Sequence, residues 1–318
     1  KNENFEKFSL RGCNKMAIQS SFSIIIPTFN REIFLLDAVR SAVNARPENA
    51  EIIVVNDGNE LLESTRNILD SLNVSTLKTE GGVGASDARN HGAKHATGQW
   101  LLFLDDDDLI QLDYWKSLSE FLLHGNKTHQ RSYGFCSTVA LSDREEMHRI
   151  ANNEVESISY IYNSKGSLQS KMGGLGQGFW LSKSIYEEVG GLDAQLRVNE
   201  DTDLCLKLIQ SDAQCYVSRC KGAIVYKGPR NNAISKSVTK TYGAAERASY
   251  FERIINKHKK LLNTNEAANK WLWRRYLKMA ARAKDSKAVS ALASNEFFTL
   301  KTKIILGIFW LGIFLLRL

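Results

Sequence analysis

Four carboxylates in succession, Asp105-Asp106-Asp107-Asp108, follow directly on the apolar run Leu101-Leu102-Phe103-Leu104. Like charges this close raise one another's pKa, so the run is unfavourable unless something positive neutralises it. A divalent cation does so, and an all-oxygen ligand set favours Mn2+ or Mg2+. Two aspartates separated by one residue can direct their carboxylates at a metal that bridges a diphosphate, which then acts as a Lewis acid on a leaving nucleoside diphosphate. A solvated acidic turn capping a helix that begins near Ile110 would use the same residues. A second acidic pair, Glu200-Asp201, follows a loop and opens a helical stretch containing Leu204, Leu206 and Leu208. It is either a helix cap or, beside a donor site, a source of general-base chemistry: Asp201 would deprotonate an acceptor hydroxyl, with Glu200 as its neighbour or as an acceptor contact. Asp57, in the turn Asn56-Asp57-Gly58, can accept hydrogen bonds from a nucleobase or ribose, or close an Asx turn. Arg89 and Asn90 follow the loop Gly81-Gly82-Val83-Gly84 and can meet phosphate or base, a buried structural arginine being the alternative.

The elements that carry these groups alternate. Residues 22–26, 51–55, 74–77 and 100–104 read as short buried strands, and residues 33–43, 61–72 and 86–96 as helices. Continuous apolar strands in that order predict an α/β fold with a mostly parallel sheet covered on both faces. Ligands bind at the carboxyl ends of such strands. Four polar clusters fall there: Thr28-Phe29-Asn30-Arg31, Asn56-Asp57-Gly58, residues 81–89 and residues 105–108. The middle, residues 133–226, is mixed; it holds Gly173-Gly174-Leu175-Gly176-Gln177-Gly178, a short helix at 184–189, the break Gly190-Gly191-Leu192-Asp193 and a helix at 201–211. Residues 242–262, 267–284 and 287–293 read as helices.

Composition narrows the classes. The chain has 318 residues, 43% of them hydrophobic, enough for one large core or a core domain with a helical appendage. Its net charge of +7 is uneven: residues 227–318 hold 19 Lys+Arg against 5 Asp+Glu, or +14, and the rest holds 23 against 30, or −7. An acidic front and a basic back predict modules with different partners. The cysteines, Cys13, Cys136, Cys205, Cys215 and Cys220, form neither a CxxC pair nor a zinc spacing and fit reduced thiols in a cytosolic protein. No charged n-region precedes an apolar h-region, so no secretory signal is expected; residues 1–15 read as a polar leader, with Met16 as an alternative start. Gly82-Val83-Gly84 follows the third strand and has Asp87 where a dinucleotide fingerprint needs a small residue, which disfavours a Rossmann dehydrogenase. A GxxxxGK[ST] loop is lacking, and no nucleic-acid-binding motif accompanies the basic charge. Trp271, Trp273, Arg274, Arg275, Tyr276 and Lys278 mix aromatics with cations on one helix. Residues 304–316 are almost wholly apolar, flanked by Lys301, Lys303 and Arg317. That run is short for a membrane span and fits a helix lying in a membrane surface, or else a core or dimer helix.

In chain order, residues 23–31 (Ser23-Ile24-Ile25-Ile26-Pro27-Thr28-Phe29-Asn30-Arg31), Val54-Val55-Asn56-Asp57-Gly58, Gly84-Ala85-Ser86-Asp87-Ala88-Arg89-Asn90, residues 103–108, Val189-Gly190-Gly191-Leu192-Asp193 and Glu200-Asp201-Thr202-Asp203-Leu204 resemble glycosyltransferase family 2. The resemblance covers residues 22–226. It implies a GT-A fold, a Rossmann-like mostly parallel sheet, here with a C-terminal helical extension. It implies inverting transfer of a sugar from a nucleotide sugar, a UDP-sugar being favoured, to a hydroxyl of a glycan or lipid-linked acceptor in surface polysaccharide or lipopolysaccharide synthesis. Asp105 and Asp107 match the outer pair of the DxD motif around Asp106, with Asp107 the foremost metal ligand. Asp57 matches the base-recognising aspartate, Thr28, Asn30 and Arg89 match donor-site positions, and Asp201 matches the base of the ED motif. The stretch containing Gly176, Gly178 and Trp180 resembles the acceptor side. The expected division is a leader at 1–20, a catalytic domain at 21–228, a basic helical region at 229–298 and an apolar tail at 299–318, peripheral on the inner face of the cell membrane.

Two positions depart from the family pattern. Asn56 stands where an aspartate is usual. The stretch Tyr226-Lys227-Gly228-Pro229-Arg230-Asn231-Asn232 has no histidine where many members carry one, so Lys227 or Arg230 would meet phosphate instead. A sugar-nucleotide pyrophosphorylase would need a glycine-rich loop in place of Pro27-Thr28-Phe29-Asn30, and a non-catalytic scaffold would be expected to have lost Asp105, Asp107 or Asp201.

Overall fold

In the computed structural model, residues 21–124, 130–153, 159–228 and 241–316 are described. The alternating pattern becomes β1 (Phe22–Thr28), α1 (Glu32–Ala45), β2 (Ala50–Asn56), α2 (Glu63–Ser71), β3 (Val74–Lys78), α3 (Ala85–His95) and β4 (Trp100–Phe103). β1 pairs in parallel with β2 on one side and β4 on the other, and β3 pairs in parallel with β2. The chain therefore winds outward from β1 to β3 and α3 carries it back to β4. The reversal opens a crevice between the carboxyl ends of β1 and β4, the usual place for a ligand in such sheets. Thr28 ends β1 there, and Asp105 follows β4 by two residues.

Alternation along β1 and β2 splits the core. Ile24, Ile26, Ile52 and Val54 join Leu35, Val39 and Ala42 of α1 on one face. Ile25, Ile53 and Val55 join Ala88 and Ala93 of α3 on the other. Pro27 was expected just beyond the first strand, yet it lies inside β1, opposite Val55. The β1–β4 ladder reaches only Ile25 opposite Phe103, and Leu104 N donates to Ile25 O at 3.2 Å. Alternate residues of β1 face the same neighbour, so Pro27 faces the side where β4 has ended and its missing N–H leaves no ladder bond unmade.

The helix expected near Ile110 is displaced. Leu109–Ile110 form a short strand, β5, and the next helix, α4, is Tyr114–His124. The cause is the antiparallel pairing of Leu109 with Ile224 and of Ile110 with Ala223, which buries both apolar residues. The mixed middle resolves into β6 (Ser132–Leu141), α5 (Arg144–Ala151), β7 (Tyr160–Tyr162), β8 (Trp180–Ser182), α6 (Lys183–Glu188), α7 (Glu200–Gln210) and β9 (Gln214–Tyr226). The sheet runs β3-β2-β1-β4-β8-β6-β9-β5, with β7 beside β9. β8 is antiparallel to both its neighbours.

The basic region forms α8 (Ala244–Lys257), α9 (Lys259–Asn263), α10 (Glu266–Arg282), α11 (Lys287–Ala293) and α12 (Leu300–Leu316). The single helix expected over residues 242–262 is two helices, parted at His258. The His258 side chain is buried, with Nε2 at 2.7 Å from Asp203 Oδ1. Phe251, Ile254, Leu272, Trp273 and Tyr276 pack with Leu168, Leu196 and Leu206 into one core that joins these helices to the α/β layer. Trp273 and Tyr276 thus face inward as core residues, while Trp271 is half-buried at the edge of that core. On α12, Leu306 and Trp310 are buried in the same core, whereas Leu300, Ile304, Ile308, Leu311 and Leu315 are exposed.

Candidate active site

Two acidic centres meet at the switch point. The first is the turn after β4. Asp106 is 0% exposed and turns beneath the others: Thr28 Oγ1 donates to it at 2.7 Å, and Arg31 Nη2 pairs with it at 2.5 Å. Burial pushes its carboxyl up to about 7 against the pull of Arg31. Asp105, Asp107 and Asp108 instead each offer a carboxylate oxygen to one cluster, all within 4.8 Å of one another. Asp108 joins this cluster although the sequence pointed to Asp105 and Asp107 as the working pair. Burial, followed by repulsion from Asp105 and Asp107, holds Asp108 well above the usual carboxylate range. Tyr226 N donates to Asp108 at 2.9 Å, so the end of β9 fixes it. Arg31 Nη1 bonds Asp107 at 3.1 Å, and Arg144 Nη1 donates to the Asp107 carbonyl at 2.9 Å.

The second centre opens α7. Asn199 adopts a left-handed backbone (φ 63°), which swings the chain so that Glu200 and Asp201 occupy the first helical turn. Helix N-termini favour negative charge. Glu200 is nonetheless pushed up to about 7, by burial first, while Arg89 pulls it down and Asp201 pushes it up. Asp201 is also raised by burial, countered by its bond from Thr202 N at 2.6 Å and by the charge of Arg275. Its Oδ2 accepts no hydrogen bond among the described residues and faces the glycine loop, 3.4 Å from where a Cβ on Gly174 would stand.

Arg89 joins the centres. Its guanidinium bonds Asp105 through Nη2 and Glu200 through Nη1, the latter at 3.2 Å. It is 4% exposed, and these two carboxylates hold its terminal nitrogens. The glycine loop spans the same gap: Gly174 lies against Asp201, and a Cβ on Gly176 would stand 3.0 Å from Asp108 Oδ2 and 3.5 Å from Asp105 Oδ2. Gly176 therefore borders the acidic cluster. Gly178 and Trp180, expected on the acceptor side, are buried instead. Trp180 lies in β8 at 0% exposure among Trp100, Tyr160 and Tyr216, because a short strand between β4 and β6 turns its indole into the core. The Gly178 carbonyl accepts from Tyr114 Oη at 3.3 Å inside the same layer.

Asp57 clasps the other glycine loop. Its carboxylate accepts from Thr79 Oγ1, from Val83 N at 2.9 Å and from Gly84 N at 2.8 Å. Three of roughly four acceptor directions are thus in use. Gly84 has φ 99°, a conformation that suits glycine, and Arg197 lies against it, donating to Val83 O. The Asx turn belongs to Asn56: Oδ1 accepts from Gly58 N at 3.0 Å and Nδ2 donates to Asn59 O at 2.7 Å. An aspartate could not make that second bond, which accounts for the departure at this position. Asn30, with φ 56°, accepts from Asn59 N at 2.7 Å and holds the turn beside β1. Asn90 Oδ1 accepts from Leu192 N at 3.0 Å and from Tyr186 Oη at 2.6 Å, anchoring the break before α7. Lys227 is exposed, and its charge opposes the rise of Asp108; Arg230 lies outside the described residues.

Residues 23–190 match the glycosyl transferase family 2 profile, and the chain belongs to glycosyltransferase family 2. It is 28% identical over 200 residues to an uncharacterised glycosyltransferase of Haemophilus influenzae, covering 59% of this chain and 62% of that one. It is 29% identical over 120 residues to the GalNAc(5)-diNAcBac-PP-undecaprenol beta-1,3-glucosyltransferase of Campylobacter jejuni, covering 36% of this chain and 37% of that protein. The fold matches Staphylococcus aureus TarS 1–349 in complex with UDP-GlcNAc, with a TM-score of 0.60 at 17% identity, over 91% of this chain and 80% of that one. The mixed, mostly parallel sheet with C-terminal helices is the GT-A-like fold of that protein.

Proposed function

We propose that this glycosyltransferase moves a sugar, with inversion, from a nucleotide sugar to a hydroxyl of a glycan or lipid-linked acceptor in surface polysaccharide or lipopolysaccharide synthesis. The observation that carries the reading is the pairing of two acidic centres across one arginine and one glycine loop. UDP-sugars are favoured as donors by the UDP-GlcNAc complex of TarS, and a lipid-linked acceptor by the Campylobacter relative, a GalNAc(5)-diNAcBac-PP-undecaprenol beta-1,3-glucosyltransferase. Asp201 takes the proton from the acceptor hydroxyl through its open Oδ2, so the oxygen attacks the anomeric carbon opposite the diphosphate. Glu200, bound to Arg89, holds the base end of the site in register with the donor end. Thr28 and Arg31 fix the acidic turn from below, and Asp57 shapes the loop beside the nucleotide.

Asp105, Asp107 and Asp108 fit a divalent cation. They offer three carboxylate oxygens within 4.8 Å of one another, and the absent side chain of Gly176 leaves the space beside them. Mn2+ or Mg2+ bound there would supply Lewis-acid stabilisation of the leaving diphosphate. A ligand that binds only the folded state raises its melting temperature. At least one UDP-sugar should therefore stabilise the chain in thermal-shift assays, more with Mn2+ than with EDTA, and Asp107→Ala should erase the difference. Equal stabilisation in both buffers would contradict the metal assignment.

Among the described residues no helix is long and apolar enough to cross a membrane. The exposed apolar face of α12, with Lys301 and Lys303 at its start, supports attachment to the inner membrane surface instead. The intact chain should float with anionic vesicles, and Ile304→Glu combined with Ile308→Glu should release it. An intact chain that stays at the bottom of the gradient contradicts this attachment.

A further inference from the structure

Arginines on the donor side of the site are neutralised. Arg31 pairs with Asp106 and Asp107, Arg89 with Asp105 and Glu200, and Arg144 with Asp37. The helical wall on the other side of Asp201 differs. Arg275 of α10 is stacked rather than paired: its guanidinium carbon lies 4.8 Å from the Trp271 ring centroid and 5.3 Å from that of Phe251 in α8. Arg247, also on α8, has a buried Nε with no hydrogen-bond partner. Neither arginine has an ion pair among the described residues.

The wall is fixed beside the base. Lys257 and His258 bind Asp203, two residues after Asp201, at 2.9 Å and 2.7 Å. Gln169 Nε2 donates to Ala267 O at 3.2 Å, tying the start of α10 to the segment leading into the glycine loop. Arg247 lies one turn before Phe251 on α8, on the face over which the Arg275 guanidinium stacks, so the two arginines are neighbours. The charge of Arg275 also favours the charged form of Asp201. Arg275 is exposed and Arg247 half-buried, so an anion from solvent can reach both, and the planar fork of arginine matches phosphate oxygens.

We propose that Arg247 and Arg275 form an anion subsite that receives a phosphate of the acceptor and presents the neighbouring hydroxyl to Asp201. The chemistry is shared by two sources, a phosphodiester in a polymer backbone and the diphosphate of a lipid carrier. The subsite rests on the glycosyltransferase reading given above, since it takes Asp201 as the base. Its side of the site also separates it from the donor diphosphate, which belongs to the Asp105–Asp108 turn. Stacking on Trp271 and Phe251 gives Arg275 a fixed direction without a carboxylate that phosphate would have to displace.

Titration calorimetry on the full chain, with UDP and Mn2+ first filling the donor site, tests this. The probes are an oligo(glycerol phosphate), farnesyl diphosphate and neutral maltopentaose. The wild type should bind at least one anionic probe, and Arg275→Gln and Arg247→Gln should each weaken that binding about tenfold. Arg275→Lys, which keeps the charge, should retain most of it. Maltopentaose and UDP should bind all variants as they bind the wild type. Preference for the oligomer assigns the phosphodiester, and preference for farnesyl diphosphate assigns the lipid carrier. Binding of neither anion by the wild type, or equal binding by both glutamine variants, overturns the subsite. Failure of the wild type to bind UDP would contradict the donor-site reading instead.

Discussion

Asp201→Asn should lower the transfer rate about 10²- to 10⁴-fold, the range a positioned general base contributes. The substitution keeps the shape of the side chain and its acceptance from Thr202 N. It removes only the ability of the second oxygen to take a proton. That oxygen, Oδ2, carries no hydrogen bond among the described residues, so nothing else in the first turn of α7 competes for it. Glu200 cannot take over, since Arg89 holds it at 3.2 Å on the donor side. Nucleotide-sugar affinity should stay within about twofold of wild type, because a base lost from the transition state removes little ground-state binding. Initial rates at saturating donor check this. A variant that keeps full rate would remove Asp201 from the mechanism.

Asp203→Ala should destabilise the fold by about 3–5 kcal/mol at neutral pH, the usual consequence of removing one member of a buried ionic network. Asp203 is 0% exposed and binds Lys257 at 2.9 Å and His258 at 2.7 Å, with Lys207 at 3.4 Å. Burial works against its charge, but the bonds from His258 and Lys257 outweigh that and bring its carboxyl down to about 2. A depressed carboxylate stabilises the fold above its ordinary value near 3.8 and loses that contribution as pH falls through the folded value. The shift alone corresponds to roughly 2 kcal/mol. Urea unfolding at neutral pH should therefore separate the two proteins widely, and the gap should narrow from about pH 4 downward. A gap that stays constant with pH would remove the carboxylate charge from the account.

Local patterns carried most of the donor layer. Apolar runs of strand length, the polar residues ending them and the returning helix α3 suffice to put Thr28, Asp57 and Asp105–Asp108 on one edge. What the sequence concealed was partnership over long separations. Arg31 stood in the first polar cluster, but nothing nearby indicated that it would grip Asp106 and Asp107, more than seventy residues on. Arg275 and Asp203 depend on helices docking back onto α7, so their roles appear only with the packed core. The family resemblance put Trp180 on the acceptor side, whereas β8 carries its indole into the core. Asn56 was legible in retrospect: a side-chain amide can both accept and donate across a tight turn, and here it does both.

Free UDP released from a UDP-sugar, measured with an envelope-glycan acceptor in Mn2+ and then in EDTA, tests the joint action of the two acidic centres most directly. The wild type should release UDP in Mn2+ and fall to background in EDTA, and Asp107→Ala and Asp201→Asn should stay at background in both. Release at the wild-type rate by either variant, or undiminished release in EDTA, would contradict the account.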